Sequence, residues 1–204
     1  MTDPRTTDAD LTAKARIRNA ALDLFAARGQ DRVSLRTVAA HAGVTVGLVQ
    51  HHYGTRDALL SAVDQLVIDF YANSIRLAPN DGTPAEVAAT RDEAVRAMLG
   101  AHPEVVNYVR RAMLDPASDH RLLAGLTDLT RVEIAEIRRS GLASTDRPDS
   151  SQIIDVMVRQ LGQLFLQPMI DAMWEQLEGP DAPDDGKPVL VPMLTVIKNP
   201  RGSA

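Results

Sequence analysis

Cysteine is absent from these 204 residues, which removes disulfides, cysteine-ligated metal and a cysteine nucleophile from consideration. Aromatic residues are scarce, with three Phe, three Tyr and one Trp, so a flat ligand has few rings to stack on. No apolar run approaches the roughly 18 residues a membrane-spanning helix needs. The opening stretch MTDPRTTDAD lacks the apolar core of a signal peptide, so residues 1–10 are expected to be a flexible arm and the chain to be cytoplasmic. The sequence contains no G-x-S-x-G, G-x-G-x-x-G, phosphate-loop or H-E-x-x-H pattern. No catalytic residue, metal site or cofactor is therefore expected. Internal repeats are absent, and so is the alternation of a sheet, apart from the tail around Val189-Leu190-Val191-Pro192.

What the chain has in quantity is helical periodicity. A first helix is expected over residues 11–28, with Ile17, Ala21, Leu24 and Phe25 on one face. From Thr55 a long helix carries Leu59, Val63, Leu66, Val67 and Phe70, and breaks at Ala78-Pro79-Asn80-Asp81-Gly82. Further helices are expected after Pro84 (Val87, Ala94, Val95 and Met98 inside), after Pro103, over 118–139 (Leu122, Leu126, Leu129 and Val132 inside) and over 149–177. At this length the chain is one large domain or two smaller ones. The reading is all-α.

Residues 34–56, SLRTVAAHAGVTVGLVQHHYGTR, give the helices a purpose. Ser34 is an N-cap type, and Leu35, Val38, Ala39 and Ala42 recur at helical spacing. Gly43 stands where a helix ends in a left-handed residue. Thr45 is a second N-cap, Val49 and Tyr53 share the inner side of the next helix, Gly54 ends it, and Thr55 caps the one after. Thr45, Val46, Leu48, Gln50, His51 and His52 remain largely outside. An ordinary core hairpin does not strand Leu48, a glutamine and two histidines on one surface, so a helix-turn-helix over 33–52 is the better reading. Its second helix would read DNA. Charge agrees in sign: residues 1–56 carry +3 and the rest −8, a basic head on an acidic body.

Each exposed residue then has an expected role. Arg36, Thr37 and Arg56 would touch phosphate. Gly47 would either let backbone approach DNA or allow close packing on a neighbouring helix. Gln50 could pair with adenine N6 and N7, or donate to phosphate. Leu48 could meet a thymine methyl. His51 and His52 point about 100° apart, which does not suit one metal ion but does suit phosphate hydrogen bonds.

Together ARIRNAALDLFAARG (residues 15–29), SLRTVAAHAGV and the run ending HHYGTRDALL resemble the DNA-binding domain of the TetR family of bacterial transcriptional regulators. The family often has tyrosine where this chain has Gln50 and His52, phenylalanine at Tyr53 and lysine at Arg56. The resemblance covers about the first third of the chain. It implies a TetR-type DNA-binding domain over 11–70, a helical ligand-binding and dimerisation domain over 71–178, and a linker and tail over 179–204. It also implies a homodimer on double-stranded palindromic operator DNA, with no membrane partner, and a ligand pocket in each subunit. Lining candidates are Met98, Tyr108, Met113, Met157, Phe165, Met169 and Trp174, with Arg110, Arg111 and Gln160 as polar candidates. Dimer-face candidates are Ile154, Val158, Leu161 and Gly162. The expected function is a repressor released by a small, mostly apolar effector; the alternatives are an all-α enzyme with a DNA-binding head, or a helical interaction protein that has lost DNA binding.

Overall fold

The computed structural model describes residues 4, 12–116, 118–143, 145–179, 183 and 186–190. Most of the expected N-terminal arm and the tail beyond Leu190 lie outside them. The described residues form eight α-helices and no strand: α1 Ala13–Arg28, α2 Leu35–His41, α3 Val46–Tyr53, α4 Arg56–Leu77, α5 Pro84–Ala101, α6 Pro103–Leu114, α7 Arg121–Arg139 and α8 Asp149–Glu178. No helix among them is long and apolar enough to cross a membrane.

The expected caps Ser34, Thr45 and Thr55, together with Thr12, which was not among them, set the helix starts. Thr12, Ser34, Thr45 and Thr55 each accept a backbone N–H three residues on, at 3.1–3.2 Å, and each satisfies a donor the helix itself leaves free. Thr83 and Glu86 form a reciprocal capping box on α5, whose hydrogen bonds hold the Glu86 carboxyl below the usual range. Gly43 has the positive φ of 66° that the turn after α2 demands; Val44 then donates to the Ala39 carbonyl at 3.0 Å.

α7 departs from the expectation twice. It begins at Arg121 rather than at 118, because His120 adopts a left-handed φ of 58° and Asp119 accepts the Arg121 N–H at 3.2 Å. Its inward stripe is Leu122, Leu126, Thr130 and Ile134, while Val132 is 57% exposed. Thr130 is tolerated inside because its hydroxyl donates to the Leu126 carbonyl at 2.8 Å, which removes the cost of an unpaired buried polar group. Pro168 does not interrupt α8, which runs continuously past it.

One core runs through the described chain, from Ile17, Phe25, Val38 and Val49 through Leu59 and Phe70 to Met98, Leu126 and Met157. α4 is the shared spine, packing on α1, α5 and α7. Its approach to α7 is close at Gly125, where a Cβ would stand 2.3 Å from Ile68 Cδ1. α6 clasps the head from the other side: Arg111 donates from Nε to the Ala26 carbonyl at 2.8 Å and from Nη2 to the Ala27 carbonyl at 3.0 Å. These belong to the last turn of α1, whose carbonyls have no partner within the helix.

Candidate functional site

α3 is held through one side only. Val49 is fully buried, Val46 and Tyr53 pack partly against the core, and the Tyr53 hydroxyl donates to the Lys14 carbonyl in the first turn of α1 at 2.7 Å. The opposite side carries Thr45, Gly47, Gln50 and His51 exposed, with Leu48 and His52 half-buried. The two histidine rings meet edge-on with centroids 5.3 Å apart. Arg36 is exposed on α2, and Thr37 is half-buried with its hydroxyl 2.8 Å from that of Ser34. These residues form one continuous polar face on two helices, suited to phosphate and base edges.

Arg56 sits in the first turn of α4 as expected, but its guanidinium turns back to the short 3-10 turn between α1 and α2. There it donates to the Gln30 carbonyl and lies 3.5 Å from Asp31. In this arrangement it positions that turn, and phosphate would have to compete for it. Gly47 is settled on one count. Of the atoms a Cβ there would meet, only Thr45 Oγ1 lies within 4 Å, at 3.9 Å, so no neighbouring helix among the described residues requires the glycine. Gly47→Ala is therefore expected to stabilise the isolated protein by up to about 1 kcal/mol, read as a rise in Tm. A fall in Tm would mean that the glycine serves the fold itself.

The candidate lining residues do not share a cavity. Met98 and Met157 are buried in the core, and Met169 is 60% exposed. Tyr108 is buried under α4, where its hydroxyl donates to Asp64 at 2.6 Å. Met113 is half-buried against the core, Phe165 is half-buried, and Trp174 lies against the position of Gly186. Arg111 serves α1. One cavity, about 530 Å³ between α5, α6 and α8, is lined by Val95, Leu99, Val106, Leu164, Arg110 and Gln160 among others. Of the three polar candidates, Arg110 and Gln160 do line it. Gln163 and Gln167 form part of its wall by holding the returning tail: Gln163 donates to the Leu190 carbonyl, and Gln167 both donates to Pro188 and accepts from the Leu190 N–H, at 2.8–3.0 Å. Two glutamines four apart on one helix face are the signal that sequence reasoning passed over.

On α8, Ile154 and Val158 are exposed, whereas Leu161 turns inward against the core and Gly162 is half-buried. The exposed apolar side continues through Leu166, Met169, Met173 and Leu177, opposite Ile153, Met157 and Leu164, which are buried. From 154 to 177 it extends roughly 35 Å along the helix.

Asp64 and Tyr108 are a buried pair that the sequence reading missed. Asp64 occupies a core-facing position of α4 between Leu60 and Val67. Burial pushes its carboxyl above the ordinary range; the hydrogen bond from Tyr108 and the nearby Arg121 pull the other way. Burial and the neighbouring Asp64 push the Tyr108 hydroxyl upward in turn, so it stays protonated and donates. Burial alone does the same to Tyr71.

Residues 17–63, from within α1 into α4, match the family model described as bacterial regulatory proteins, tetR family. This segment is similar to the DNA-binding part of tetR-family regulators. The matched segment is the part of the tetR-type head that holds α2 and α3 against α1 and α4. Over 68 residues the chain is 48% identical to the HTH-type transcriptional regulatory protein RaaS of Mycobacterium tuberculosis, covering 33% of this chain and 30% of that protein. Over 101 residues it is 37% identical to an HTH-type transcriptional repressor of the same organism, covering 50% and 46%. The chain thus spans less than half the length of these curated relatives. A tetR-family crystal structure from Shewanella sp. PV-4 shares the fold, with a TM-score of 0.60 at 22% identity over 81% of this chain and 90% of that one.

Proposed function

We propose that this chain is a cytoplasmic, homodimeric DNA-binding transcriptional regulator of the tetR family. It acts as a repressor, and a small molecule held in the cavity between α5, α6 and α8 releases it from its operator. The observation that carries the reading is the polar face of α3, which packs through Val49 alone among its fully buried residues and leaves Gln50 and His51 open. A helix held in that way can enter a major groove while its inner side stays in the core. Arg36 and Thr37, on the preceding helix, lie where groove-flanking phosphates would run.

The exposed apolar side of α8 supports self-association, because a two-fold axis lets one such patch cover its own copy. The relative named as a repressor supports the sense of regulation. The effector would act by binding two conformations unequally, drawing the dimer toward one whose two α3 helices no longer fit successive grooves. Selection from random DNA by the purified chain tests the reading. The expected product is a two-fold symmetric consensus with half-sites about one helical turn apart. Recovery of no preferred sequence would point to the alternative of a helical interaction protein.

A further inference from the structure

The cavity between α5, α6 and α8 has an apolar floor of Val95, Leu99, Val106 and Leu164, and most of the charges at its walls are already paired. Asp92 lies 2.7 Å from the Arg159 guanidinium, Asp171 lies 3.3 Å from Lys187, and Arg96 reaches Glu93 on its own helix. Arg110 differs. It is half-buried, and its hydrogen bonds go to a neutral carbonyl: Nε and Nη2 both donate to Leu164, at 3.2 and 2.9 Å. That carbonyl is available because the residue four positions on is Pro168, which has no N–H to offer it. A guanidinium carries five N–H donors, so three remain beyond the two used here. A carbonyl does not neutralise the charge, and a partly desolvated charge beside apolar walls favours an anion.

We propose that this cavity takes a small amphipathic carboxylic acid in its ionised form, with the hydrocarbon chain along Val95, Leu99 and Val106 and the carboxylate on Arg110. The planar fork of the guanidinium matches a carboxylate's two oxygens. The volume lies within the range of small-molecule sites. Arg110 therefore does two jobs: it completes α8 at Pro168 and it receives the ligand's charged end. The inference rests on reading this cavity as the effector site, and it adds the chemical class of the effector.

Calorimetric titration of the full chain, without DNA, tests it with octanoate, octanamide, octanol and octylamine as probes. Octanoate is expected to bind about tenfold or more tighter than octanamide or octanol, with octylamine weakest, since a charge-assisted pair is about twice as strong as a neutral one. Arg110→Gln is expected to bring octanoate down to the level of octanamide. That substitution also strips the Leu164 carbonyl of its partner, so it is paired with Pro168→Ala, which restores a helical N–H to that carbonyl. The double variant is expected to fold as the parent does, by circular dichroism, and still to lack the carboxylate preference. Equal affinity for octanoate and octanamide in the parent, or a carboxylate preference that survives in the double variant, overturns the proposal. Failure here with a symmetric DNA consensus recovered leaves the regulator reading intact. Carboxylate selectivity without any DNA preference would sink that reading and not this one.

Discussion

Placing glutamate at both Ile154 and Met173 is expected to hold the chain as a monomer and weaken binding to a two-half-site operator by more than about 100-fold. Both residues are about half exposed, at 50% and 52%, so neither anchors the core and the monomer should keep its helical spectrum. In a two-fold interface each substitution is presented twice, to the partner's apolar patch or to its own copy. Four carboxylates would lose water there without a counter-charge. A dimer binds its operator through two heads that share one association, and a monomer loses the effective concentration that linkage supplies. Sedimentation and DNA titration read the two consequences separately. Should the double variant remain dimeric with undiminished affinity, the exposed side of α8 is not the interface.

Tyr108→Phe is expected to lower stability by about 2 kcal/mol at neutral pH, the range for a lost hydrogen bond to a buried charged group, or roughly 4–8 °C in Tm for a chain of this size. The loss should depend on pH. Asp64 has its carboxyl raised above 3.8 by burial, so its contribution is fully present below that value and declines as pH rises through the raised one. The Tyr108 hydroxyl is the largest influence holding that rise in check. Without it, the folded-state value climbs further, and ionisation at neutral pH becomes more costly. Denaturation of the Phe variant should thus show a larger deficit at pH 7 than near pH 4. Adding Asp64→Asn to that variant should recover most of the deficit at pH 7, since the amide carries no charge to desolvate. A deficit of the same size at both pH values would show that Asp64 is not the group that loses its support.

The head was legible because its signals are local. Ser34, Thr45 and Thr55 cap the helices they were expected to cap, and Gly43 and Gly54 take positive φ at the two turns. Cap and turn chemistry act over three or four residues, so the sequence displays them directly. The body was less legible because its decisive features join distant segments. Thr130 rather than Leu129 fills the core-facing position of α7, through a bond to its own helix that hydrophobic periodicity does not register. Residue type points to methionines and aromatics for the pocket, whereas the cavity owes part of its lining to Gln163 and Gln167, whose part in it depends on the distant residues 188–190. Asp64 did leave a trace, a carboxylate on the inner side of an otherwise apolar stripe. Its partner lies 44 residues away, and nothing in the spacing names it.

Arg110 and Arg111 are neighbours in sequence, and on a helix neighbours point about 100° apart. One holds the α8 carbonyl at the proline and the other holds the end of α1. A rigid helix has a single roll angle, so α6 cannot turn to tighten one grip without altering the other. The proline site in the body and the last turn of the head are thereby geared to one mechanical coordinate. The bond at the proline of α8 and the bonds at the end of α1 are thus made from adjacent residues of one helix.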